Sequence, residues 1–204
     1  RPKFEEYPGV QFCVLKTVFY DEEKSLISTG EIFCFIGEYF IVVVRHGDGA
    51  PLRDTRHILE NSPDHLAKGP YAVLHAVIDH VIDCYIDIAV ELEIDVVQVE
   101  NKVFSGKRQT QSQEIYFLKR EIIEFRHAID PLLSPLQKLA SEGAAYVPNN
   151  LTPFFRDTLD HLSAVPNPRP LLDKRGHAFG LVFGRGEDLE DPALGQDSLV
   201  EPGL

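Results

Sequence analysis

The sequence predicts an α/β fold in which a small, mainly antiparallel sheet is followed by a long antiparallel helical hairpin. Three observations point to it. Val-, Ile- and Phe-rich segments separated by glycines fill residues 10–45. Apolar residues then recur at three- and four-residue spacings from Tyr71 to about Phe104, and a second seam of that kind runs over 112–139.

Taken in order, Val10 to Phe19 (VQFCVLKTVF), Glu31 to Ile36 (EIFCFI) and Tyr39 to Arg45 (YFIVVVR) read as strands bounded by Gly30, Gly37 and Gly47. Gly37 and Glu38 alone separate the last two, which suits a two-residue hairpin with glycine first. A short helix is expected over Leu52–Leu59, ended near Ser62 and Pro63. The long helix that follows lines up Leu74, Val77, Val81, Tyr85, Ile88, Leu92, Val96, Val99 and Val103 on one side, and Gly106 ends it. Ile115, Leu118, Ile122, Phe125, Ile129, Leu132, Leu136 and Leu139 form the second seam, and a connection of about seven residues makes the two helices antiparallel neighbours. Pro131 and Pro135 each remove a helical hydrogen bond, so a kink or break is expected there.

Composition narrows the partners. The chain has 204 residues, 44% of them hydrophobic, enough to bury a core. Its 32 acidic against 20 basic residues give a net charge of −12, which argues against nucleic acid, because phosphate binding draws on clustered Lys and Arg. Cys13, Cys34 and Cys84 sit in apolar surroundings without CxxC spacing, so neither a disulfide framework nor a thiol metal site is expected. The chain opens at Arg1 and contains no Met, which reads as a start within a domain; no secretory leader is visible. The longest apolar run, Phe40 to Val44, is far short of the roughly 20 residues that span a bilayer, so no membrane insertion is expected.

The most unusual electrostatics lie on the first long helix. Asp79, Asp83, Asp87, Glu91 and Asp95 stand at successive i, i+4 positions, where like charges repel by a few tenths of a kcal/mol per pair. The stripe reads as a solvated acidic face, as a surface that gathers divalent cations, or as a site of discrete chelation. His75, His80 and Asp79 could be drawn as a transition-metal set, but no further ligand is evident and surface histidines are expected. Gly47-Asp48-Gly49 after His46 reads as turn chemistry. No GxSxG, Walker loop, HExxH or GxGxxG occurs, so no enzyme is predicted.

The words on these elements are specific. RPKFEEYPGVQFCVLKTVFY, GEIFCFIGEYFIVVVRHG, PYAVLHAVIDHVIDCYIDIAVELEIDVVQVENKVF, IYFLKREIIEFRHAIDPL and FFRDTLDHL follow one another in the order seen in the cytoplasmic part of the CorA family of magnesium and cobalt transport proteins. The chain resembles that family over residues 1 to about 163. The resemblance implies a CorA soluble-domain-like fold, a homopentamer at the cytoplasmic face of the cell membrane, and magnesium or cobalt as regulatory or transported ion. It also implies that FFRDTLDHL, similar to the family's FRDVxDH, opens a stalk helix, with Asp160, and Asp157 beside it, at a regulatory divalent site. The acidic pair that completes this site in the family lies upstream of Arg1, so the site would be incomplete. Both acids also read as helix-start residues favoured by the macrodipole.

After Ala164 the likeness ends. Residues 166–204 carry five prolines and six glycines in 39 positions with no apolar period, so a divergent, disordered or irregular tail is expected over 165–204, with 1–164 as the folded domain. A frameshift, a truncation or a fusion would each produce it. Two functions follow: the metal-sensing part of a CorA-like transporter that itself lacks the pore, or a free interaction protein that associates with a full-length CorA-like transporter.

Overall fold

The computed structural model describes residues 1–21, 26–104, 111–142, 146–172 and 178–184. Four strands, β1 (Lys3–Tyr7), β2 (Val10–Asp21), β3 (Leu26–Ile36) and β4 (Ile41–His46), form one antiparallel sheet in the order β1-β2-β3-β4. Six helices follow: α1 (Arg53–Glu60), α2 (Pro63–Leu66), α3 (Pro70–Phe104), α4 (Gln111–Ile129), α5 (Leu133–Ala140) and α6 (Thr152–Ala164). The expected α/β architecture is present.

β3 begins at Leu26, five residues before the expected strand, because Gly30 lies inside the strand and does not bound it. A Cβ there would come within 2.6 Å of the Asp48 carbonyl and of Thr17 Oγ1, and within 2.7 Å of the His46 carbonyl. Thr17, the cross-strand partner of Gly30, donates its hydroxyl to the Asp48 carbonyl at 2.6 Å. Residues 47–49 form a bend in which Gly47 and Gly49 take φ near +80°, so the His46 segment is a turn strapped over the glycine.

The β3–β4 hairpin turns one residue later than expected. Gly37 N–H donates to the Phe40 carbonyl at 2.8 Å, which makes Glu38 and Tyr39 the two turn residues. β1 was not expected. Its KFEEY sequence pairs residue for residue with β2, and its exposed charges suit a strand at the sheet edge.

One face of the sheet carries the core. Cys13, Leu15, Ile32, Cys34 and Ile36 from the strands meet Leu74, Ile78, Val81, Tyr85 and Leu92 from α3 and Ile122 and Phe125 from α4. The Tyr85 hydroxyl donates to the Lys16 carbonyl, which ties α3 to the middle of β2. In the second seam, Leu118, Ile122, Phe125, Ile129, Leu132, Leu136 and Leu139 are buried, and Ile115 is partly exposed. At the prolines the helix breaks: Asp130–Leu132 tighten into a 3₁₀ turn between α4 and α5, and Pro135 falls in the first turn of α5, where its missing N–H costs little.

The Gly106 helix stop, the Val103 side chain and most of the tail lie outside the described residues. Within the described part of the tail, Asn167–Leu172 (β5) and Ala178–Gly184 (β6) pair as an antiparallel two-stranded ribbon, where an irregular chain was expected.

Candidate functional site

A four-residue step advances an α-helix by about 40° beyond a full turn, so five acids at that spacing wind about 160° round α3. The acids therefore do not share one environment. Asp79 faces α6, where Thr158 Oγ1 donates to its Oδ1 at 3.0 Å. Asp83 and Asp87 are exposed. Glu91 is half-buried, and Asp95 accepts the Tyr20 hydroxyl from β2. Partial burial, then the neighbouring Asp79 charge, holds the Asp83 carboxyl above its ordinary range; His161 and His80 pull the other way, and Asp87 adds to the rise.

His75 corrects the expectation of a surface histidine. It is 9% exposed and sits edge-on to Phe154 and Phe155, with ring centroids at 5.5 and 5.3 Å. Its Nε2 lies 3.0 Å from Thr158 Oγ1. Burial pushes the imidazole below the usual histidine range, against the raising effects of Asp79 and Asp157. His80 lies 3.9 Å from Cys84 Sγ, away from the His75 ring contacts. Cys13 and Cys34 are cross-strand partners, both buried and free, and burial pushes the Cys34 thiol up to about 12.

Pro153 starts α6 at a position where its missing N–H is tolerated, and Thr152, Phe155, Thr158 and Leu162 form the buried face. Arg156 fixes the helix to the end of α5 through the Ala140 carbonyl at 3.3 Å and Glu142 at 2.8 Å. Asp157 and Asp160 are exposed on the outer side, and His161 Nε2 lies 4.0 Å from Asp157. Neither acid is in the first helical turn, so macrodipole stabilisation does not account for them.

The α3–α6 crossing thus gathers Asp79, Asp83 and Asp157 with His161, close enough to influence one another's charge. Among the described residues no three His, Cys, Asp or Glu side chains converge closely enough to hold a metal ion. Such an arrangement can attract a hydrated cation, as magnesium retains its waters, without enclosing it.

The sequence reading missed Thr158 and Tyr20, which hold the two ends of the acidic ladder. Thr158 had a signal: it stands where FRDVxDH has valine, a hydroxyl in a buried place. A second polar group was missed on α4, where the nearly buried Glu121 accepts the Ile27 N–H at 2.5 Å. Glu121, Asp95, Glu114 and Lys102 line a cleft of about 440 Å³ beside the strand ends. Lys102 bridges to Glu114 at 3.0 Å across the hairpin. Among the described residues no helix is long and apolar enough to cross a membrane.

Residues 1–168 match the family model described as CorA-like Mg2+ transporter protein. The chain is 26% identical over 162 residues to YfjQ of Bacillus subtilis, named for metal ion transport, and 25% identical over 169 residues to the cobalt/magnesium transport protein CorA of Thermotoga maritima. Each match covers 79% of this chain, and 50% and 46% of the respective relatives, so the chain spans about half the length of the curated relatives it matches. The fold is shared with the soluble domain of CorA from Methanocaldococcus jannaschii, with a TM-score of 0.63 at 15% identity over 79% of this chain and 64% of that one. It is shared equally with full-length CmaX, with a TM-score of 0.66 at 15% identity over 80% of this chain and 50% of that one.

Proposed function

The chain belongs to the family of CorA-like Mg2+ transporter proteins, and from that premise we propose that it is the part of a magnesium and cobalt transporter that responds to divalent cations at the cytoplasmic face of the membrane. In this reading it contributes no ion path of its own and acts through self-association or through a full-length relative. Its ions are magnesium or cobalt, met as hydrated species by Asp83 and Asp87 on α3 and by Asp157 and Asp160 on α6.

The observation that carries this is the state of Asp83. Partial burial first, and then the Asp79 charge, hold this exposed carboxyl above its ordinary range, and a hydrated cation beside it would offset the repulsion from Asp79 and Asp87. Asp160, whose place in FRDTLDH resembles that of the family's regulatory aspartate, is exposed on the neighbouring helix α6. Cation binding then bears on how α6 lies against α3, because Thr158 of α6 is bonded to Asp79, one turn before Asp83.

Calorimetric titration of the chain with magnesium and with cobalt tests the reading. Binding is expected to be weak, to fade with added salt as screening shortens to about 8 Å at physiological ionic strength, and to fall in Asp160→Asn and in the Asp83→Asn, Asp87→Asn double variant. No binding at low salt in the wild type would overturn it. Tight binding at high salt that disappears in His75→Ala would replace it with histidine chelation. A magnesium-uptake-deficient cell is expected to stay deficient when this chain is expressed alone, and recovery would refute the absence of an ion path.

A further inference from the structure

Where the sheet edge meets the start of α3 and the end of α5, a cavity of about 260 Å³ lies between Phe4 and Glu6 of β1, Tyr71 of α3, and Lys138 and Leu139 of α5. Leu139 and Val147, both buried, and the partly buried Phe4 give it an apolar wall. Glu6 and Lys138 bring opposite charges to the same space. Both are exposed, and among the described residues neither forms an ion pair, with the other or with a third group.

Tyr71 is the inner polar group. It is 6% exposed, and its hydroxyl is buried without a hydrogen-bond partner. Glu6 and Tyr146, both on the cavity lining, act on that hydroxyl through their charge, which puts it on the cavity side of the ring. A buried hydroxyl with no partner is unfavourable and rare in native proteins. Here it stands beside space that a ligand group fills.

We propose that this cavity binds a small α-amino acid, its ammonium paired with Glu6, its carboxylate with Lys138 and the Tyr71 hydroxyl, and its side chain against Leu139 and Val147. A carboxylate alone would meet Lys138 but also the repelling Glu6, and an amine alone would meet Glu6 but also the repelling Lys138. A molecule that carries both charges a few bonds apart satisfies both. Tyr71 serves as the donor, since burial, and then the Glu6 charge, push its phenol well above the ordinary range and keep its proton in place. The space is smaller than the roughly 300–1,000 Å³ of sites for drug-sized ligands, so a nucleotide does not fit. Asp83, Asp87, Asp157 and Asp160 are not on its lining, so the proposal stands apart from the cation reading.

Calorimetric titration of the full chain with glycine, L-alanine, L-leucine and L-phenylalanine tests it. Binding is expected, tighter for leucine than for glycine because of the apolar wall, together with a rise in the urea midpoint of the wild type. Isoamylamine and isocaproate keep the leucine skeleton with one charge each, and are expected to bind at least about tenfold more weakly. Glu6→Gln and Lys138→Gln are each expected to weaken leucine binding by a similar factor with unaltered circular dichroism. Tyr71→Phe is expected to weaken it about tenfold. Without ligand that variant is expected to unfold at a urea midpoint no lower than the wild type, because the hydroxyl it removes has no bond to lose. No binding of any of these amino acids at millimolar concentration, equal binding of the single-charge analogues, binding unaffected in any of the variants, or a Tyr71→Phe chain that is less stable without ligand would each overturn the proposal.

Discussion

Thr158 on α6 gives its hydroxyl proton to Asp79 on α3 across the helix crossing, at 3.0 Å, while its oxygen lies 3.0 Å from His75 Nε2. Thr158 is fully buried, so removing the hydroxyl takes a partner from the buried His75 and from the half-buried Asp79 at once. Thr158→Val is expected to destabilise the chain by about 1–3 kcal/mol, the cost of leaving buried polar groups unmade. Thr158→Ser, which keeps the hydroxyl, is expected to cost less. Urea denaturation of the three proteins checks the order.

His75 makes stability depend on pH. Burial lowers its folded-state proton affinity relative to an imidazole in the unfolded chain, for which the ordinary value is 6.5. The unfolded state therefore binds more protons as the pH falls through that value, and unfolding becomes easier. The urea midpoint is expected to be flat above about pH 7.5 and to fall on acidification below about 6.5. In His75→Phe the His75 contribution to that slope disappears. An unchanged slope in the variant would remove His75 as its source.

Gly30→Ala is expected to cost about 1–3 kcal/mol, the usual range for overpacking. The added methyl meets two carbonyl oxygens of the 46–48 segment, which cannot rotate away as a side-chain end could. Hydrogen exchange is expected to rise first in the amides of residues 46–50, where the turn lies over the glycine.

The long helices were legible because their apolar positions repeat for many turns, and a periodic burden of that length has few other ways to be buried. Gly30 misled because a glycine in a strand and a glycine in a turn look alike in one dimension; the reason for it is a carbonyl brought in from Asp48. β1 was invisible for a related cause, since KFEEY has the composition of an exposed edge. His75 read as a surface residue because the aromatic pair that covers it, Phe154 and Phe155, comes from α6, far along the chain. The acids of α3 were found by spacing, but spacing could not say that Asp79 and Asp95 are taken up by Thr158 and Tyr20. Those partners are 79 and 75 residues away in sequence.

The slow winding of the acids round α3 makes that helix a torsion bar. Asp79 is gripped by α6 on one bearing and Asp95 by β2 on another, 16 residues apart along the sequence and about 24 Å apart along the axis. Turning the bar would disturb both grips at once. α6 and the end of β2 are thus linked through one shaft, which also meets α6 at His75 and β2 at Tyr85.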